Sequence, residues 1–126
     1  MVSRRLQGFT MIELLVALAI VSLIVSLAAP RYFGNIDRAK EDVLREDLYV
    51  MRNAIDHYYS DKNVYPNALV DLVTEKYLRK LPVDPFTNSS NSWIPVPPVD
   101  PNVAGIADVR SGAPNTGRDG TWLRDW

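Results

Sequence analysis

Cysteine is absent from the 126 residues and histidine occurs once, as His57. The first absence excludes a disulfide, a thiolate metal site and a cysteine nucleophile. The second leaves no imidazole pair for a metal, and with no clear nucleophile beside it His57 reads as a surface or packing residue; enzyme activity is not expected. Excess positive charge is also missing, because 14 basic side chains face 15 acidic ones for a formal net charge of -1. Phosphate binding depends on clustered surplus Lys and Arg, so nucleic acid is excluded as the partner. Helix breakers are scarce before residue 60, where only Gly8, Pro30 and Gly34 occur. The length corresponds to a single domain.

What is present is unevenly distributed. Leu14 to Ala29 is a 16-residue run without a charge, broken only by Ser22 and Ser26, and Glu13 is the one charge when the run is extended back to Phe9. A helix over those 21 residues reaches about 31 Å, the thickness of a bilayer's hydrocarbon core. A short polar head, Met1 to Gly8 with Arg4 and Arg5, precedes it. Three readings fit this layout: a conventional secretory signal, for which Ser26-Leu27-Ala28 supplies a small-x-small cleavage pattern, a plain N-terminal anchor, and an anchor whose basic head is removed. Glu13 ranks them. A carboxylate inside an apolar run costs about 3 kcal/mol in hydrocarbon unless something pairs with it. Neither a disposable signal nor a plain anchor has a use for such a residue.

Gly8-Phe9-Thr10-Met11-Ile12-Glu13, followed by Leu14-Leu15-Val16, closely resembles the type III signal of type IV pilins and type II secretion pseudopilins. The resemblance implies a cut by a prepilin peptidase between Gly8 and Phe9, N-methylation of Phe9, and retention of Glu13 as an assembly residue within the membrane. The freed ammonium of Phe9 lies near the depth of Glu13, so one subunit's amine can neutralise its neighbour's carboxylate at low dielectric. Charge alone does not set the orientation, since Arg31, Arg38, Lys40 and Arg45 follow the span. The short head and the leader resemblance place the N-terminus in the cytoplasm and residues 30–126 in the periplasm.

Pro30 usually ends a helix, yet helical periodicity resumes: Leu44, Leu48, Met51, Ile55 and Tyr59 recur at three- and four-residue steps. Phe9 to about Ser60 is therefore expected as one long helix, kinked or loosened near Pro30 and Gly34, with two separate helices as the alternative. Seven of the nine prolines and four of the six glycines lie after residue 80, so loops and short strands are expected there. A short helix is expected at Asn67 to Glu75, and strands at Trp93 to Val96 (an edge, given Pro95), Ile106 to Arg110 and Thr121 to Leu123. A small antiparallel sheet covering the helix stripe gives an α+β, type IV pilin-like fold. Tyr58, Tyr59, Trp93, Trp122 and Trp126 are read as core aromatics, not ligand stackers.

Val64-Tyr65-Pro66, Tyr77-Leu78-Arg79-Lys80-Leu81-Pro82, Asp84-Pro85-Phe86 and the ending Asp108 to Gly112, Asp119-Gly120-Thr121 and Trp126 resemble a short variant of the G-type, or major, pseudopilin. Such proteins commonly hold calcium in the C-terminal loop, which implies Asp108, Asn115, Asp119 and Asp125 as candidate oxygen donors. Calcium takes about six to eight oxygens, and scattered acids with glycines are equally well explained as turn formers. The division implied by the resemblance is a cleaved leader, 1–8, a membrane and filament-core helix, 9–29, and a periplasmic head, 30–126. Two function classes follow. One is a subunit of an inner-membrane-derived pseudopilus of type II secretion, with a pilin or minor pilin as sibling, whose partners are further copies of itself, other pseudopilins, the peptidase, the assembly platform and the bilayer. The other is an anchored periplasmic binding module that never polymerises; Glu13 favours the first.

Overall fold

The computed structural model describes Gly8 and residues 10–126. The elements are a helix α1 at Met11–Lys62, a short helix α2 at Leu69–Thr74, strands β1 at Ile94–Val96 and β2 at Asp108–Arg110, and a 3-10 turn at Leu123–Asp125. The long N-terminal helix and the small antiparallel sheet make the fold α+β and pilin-like. The helix is continuous through Pro30, not split in two. Proline cannot donate to the carbonyl of Ser26, but one lost bond does not end a helix of 52 residues. Phe9, the expected first helical residue, lies outside the described residues.

The chain divides into two units, Met1–Ile36 and Asp37–Trp126. In the first, none of the described residues is buried. The second holds the core. Leu44, Leu48, Met51, Ala54 and Ile55 form the buried stripe of α1 and share one cluster with Leu72, Trp93, Ile106, Val109, Ala113 and Leu123. The expected stripe runs one residue too far in this register. Tyr58 packs on the core, whereas Tyr59 is exposed and stacks on Tyr65 with ring centroids 4.4 Å apart. Trp93 is buried with its indole N–H donating to the carbonyl of Pro82 at 2.8 Å, while Trp122 is exposed and does not belong to the core.

The two strands pair antiparallel with Ile94 opposite Arg110, Pro95 opposite Val109 and Val96 opposite Asp108. Both are edges, which is how Pro95 is accommodated. The strand expected at Thr121 to Leu123 is absent. Trp122 makes one isolated bridge to Thr116, and the chain then enters the 3-10 turn. Asp119 explains this: its Oδ1 accepts from the N–H of Thr121 at 3.0 Å, closing a turn around Gly120, whose φ of 84° suits glycine. Gly105 is required for another reason, since a Cβ there would sit 2.7 Å from that of Tyr65 beside the Ile106 N–H to Pro66 carbonyl bond of 2.8 Å.

Asp84 is fully buried and fastens two loops, accepting from Ser111 Oγ at 2.5 Å and from the N–H of Phe86 at 2.8 Å. It also acts on α1. Burial first, then the nearby Asp84 and Glu46, push the carboxyl of Asp47 above its ordinary value of 3.8. A carboxyl with a raised folded pKa supports the fold most below the unfolded value and loses that support as pH rises through the folded one. Asp47→Asn is therefore expected to stabilise the head at neutral pH by about 0.5 kcal/mol after solvent screening. The gain should vanish below pH 3.8, where both chains are neutral at this position. Urea unfolding at the two pH values checks both the sign and the convergence.

Candidate functional site

The start of α1 is built by two side chains. The carbonyl of Thr10 accepts the first helical bond, from the N–H of Leu14 at 3.1 Å. Thr10 Oγ1 accepts from the N–H of Glu13 at 3.2 Å, and Glu13 Oε2 accepts from the N–H of Thr10 at 3.4 Å. This is a reciprocal capping box, in which a Thr and a Glu three residues on satisfy amides that the helix itself leaves open. The Thr-x-x-Glu spacing before an apolar run was its signal in the sequence. It gives Glu13 a local role that the reading of Glu13 as useless to a plain anchor had missed. Gly8 is exposed.

From Met11 to Phe33 every large hydrophobic of the helix is exposed, including Leu14, Leu15, Leu18, Ile24 and Leu27. The helix is long and apolar enough to cross a membrane. A continuous apolar surface of this extent is unfavourable in water at roughly 25 cal/mol per Å², so it requires lipid or other apolar surface around it. His57 is exposed, and among the described residues no group of three or more His, Asp or Glu side chains could hold a metal ion.

The four candidate calcium donors are not brought together. Asp108 Oδ1 accepts from Arg52 Nε at 2.8 Å and from its neighbour Val109 N–H at 2.8 Å. Asp119 accepts from Thr121, whose hydroxyl at 2.6 Å and then its main-chain N–H hold the carboxyl below the ordinary 3.8. Asp125 faces Arg110 at 3.9 Å, and the main-chain oxygen of Asn115 accepts from Leu123 N–H at 3.1 Å. Among the described residues these acids form no group of three that could hold a metal ion, so they do not supply the about six to eight oxygens that calcium takes.

Residues 3–29 match the family described as the prokaryotic N-terminal methylation motif. The type II secretion system core protein G of Aeromonas hydrophila is 33% identical over 70% of this chain and 73% of its own length. The chain belongs to the G-type pseudopilin family of type II secretion systems. The core protein G of Vibrio cholerae is 30% identical over 94% of this chain and 93% of its own length. That of Escherichia coli is 30% identical over 86% and 82%. No solved structure matches the chain.

For a G-type pseudopilin the residue that sequence reasoning overlooked most completely is Arg52. In the sequence it lies between the stripe positions Met51 and Ile55, with no local pattern to mark it. In the fold it is half-buried and donates to Asp108, to the Val109 carbonyl at 3.1 Å and to the main-chain oxygen of Trp126 at 2.6 Å. Those partners lie 56 to 74 residues away in the chain, so no local pattern could have found them.

Proposed function

We propose that this G-type pseudopilin is a structural subunit of a helical pseudopilus that drives protein export through a type II secretion system. The observation that carries the proposal is the exposed apolar part of α1, Met11 to Phe33, with its single acid, Glu13, in the first turn. A prepilin peptidase removes residues 1–8 at the cytoplasmic face of the inner membrane, and Phe9 becomes the methylated N-terminus. The helix anchors the subunit in the bilayer with the head in the periplasm. A bundle of like helices is as apolar as lipid, so the subunit leaves the membrane for the filament without exposing this surface to water. The nonspecific apolar contribution is therefore nearly balanced, and register falls to the polar pair. In this reading Glu13 turns from its own cap toward the ammonium of a neighbouring Phe9, where the two charges cancel in a medium of low dielectric. Further copies, other pseudopilins and the assembly platform are the partners, and the role is assembly, not catalysis.

Processing supplies the test. Intact-mass measurement of the membrane form is expected to give a chain starting at Phe9 and carrying one additional methyl group. Replacing Gly8 should leave uncut precursor in the membrane, because the peptidase reads the residue before the cut. A mature start near Ala29 would overturn the proposal in favour of an ordinary secretory signal.

A further inference from the structure

Three oxygens of the C-terminal segment converge on one guanidinium from α1: Asp108 Oδ1 on Nε at 2.8 Å, and the main-chain oxygens of Val109 and Trp126 on one terminal nitrogen at 3.1 and 2.6 Å. A carboxylate and two carbonyls pointing at a common centre are the ligand chemistry of a hard cation. Here the cation is a side chain. Arg45, seven residues earlier on the same helix, adds its guanidinium over the Trp126 ring at 4.4 Å from the centroid. The indole N–H of Trp126 donates to Thr121 Oγ1 at 2.7 Å, and that hydroxyl donates to Asp119 at 2.6 Å. The segment is thus tied from the Asp119 turn through Trp126 to two arginines.

We infer that Arg52 holds the C-terminal segment closed as a built-in cation, so that the head folds without any divalent metal. This inference is independent of the filament proposal, since it concerns the closure of the head alone. Its physical basis is the fork of the guanidinium, which meets three acceptors at once with a charge that is permanent at all accessible pH. An exposed Arg–Asp pair alone is worth little, but here the same group also satisfies two main-chain oxygens, so three bonds offset the entropy lost in ordering one side chain.

The test is thermal unfolding of the full-length chain in detergent micelles, followed by tryptophan fluorescence, with millimolar calcium or with EDTA. The wild-type midpoint is expected to stay the same in both, within about 1 °C, whereas a calcium site filled a hundredfold above its Kd would raise it by roughly 10 °C or more. Arg52→Gln is expected to lower the midpoint by about 5–10 °C. Arg52→Lys keeps the charge but loses the fork, and should fall between the two, which separates the bonding geometry from charge alone. A calcium-dependent rise in the wild type, or an Arg52→Lys midpoint equal to the wild type, would overturn the inference.

Discussion

Glu13→Gln is expected to leave leader cleavage and the folded head intact while filament assembly, and secretion with it, fails. Gln preserves the shape of the side chain and can still accept from Thr10 N–H, so the capping box survives. What disappears is the negative charge. In a filament interior the Phe9 ammonium of the adjacent subunit then lacks its counter-ion, and removing one partner of a buried pair costs about 3–5 kcal/mol. At 1.4 kcal/mol per tenfold change, each subunit addition weakens by roughly a hundredfold or more. Insertion of the isolated subunit should become easier, because an acid has left the apolar run. Thr10→Ala is the matching control: it removes the cap and keeps the charge, so it should weaken the helix start by about 1 kcal/mol and leave filaments in place. Shearing and pelleting of surface material, with immunodetection of the chain, reads both variants. Normal assembly of Glu13→Gln combined with failure of Thr10→Ala would assign Glu13 to the cap alone.

The second large effect lies in the head. Leu72→Ala is expected to lower the midpoint of thermal unfolding by roughly 10–30 °C, from a loss of about 2–5 kcal/mol spread over a unit of this size. Leu72 is fully buried and joins the cluster of Leu44, Leu48, Met51 and Ile55, and it is the only buried residue of α2. Its carbonyl also accepts from the N–H groups of Tyr77 and Leu78, at 2.8 and 3.0 Å. A cavity there therefore loosens both α2 and the turn that follows. Leader cleavage should be unaffected, since the residues around Gly8 are far away in sequence and belong to the other unit. A midpoint shift of only a few degrees, about the size seen for a surface substitution, would show that the head draws its stability from elsewhere.

The long helix was legible because its evidence is local: an unbroken apolar run, then Leu44, Leu48, Met51 and Ile55 at helical spacing without Gly or Pro between them. The α2 turn and both strands of the sheet were legible in place, and only their ends differ. Thr121 to Leu123 misled because β-branched and aromatic residues favour strands in general, whereas here the Asp119 side chain captures Thr121 N–H and bends the chain first. The Thr10–Glu13 cap is encoded in the Thr-x-x-Glu spacing, but the same acid stands in an apolar run, so its charge also fits a role within the membrane. Arg52 and the Asp84–Ser111 pair were not readable at all. Their partners are set by how the C-terminal segment returns to α1, and nothing in the residues around Arg52 or Asp84 encodes that return.

The most direct measurement of the central claim is the structure of the assembled filament by electron cryomicroscopy. Helices α1 are expected to pack together along the filament axis, with Met11 to Phe33 removed from solvent and the Phe9 amine within about 4 Å of a Glu13 carboxylate on an adjacent subunit. A filament in which Glu13 stays on its own Thr10 with the neighbouring amine elsewhere, or one in which the apolar helix lies outside the packed axis, would contradict it.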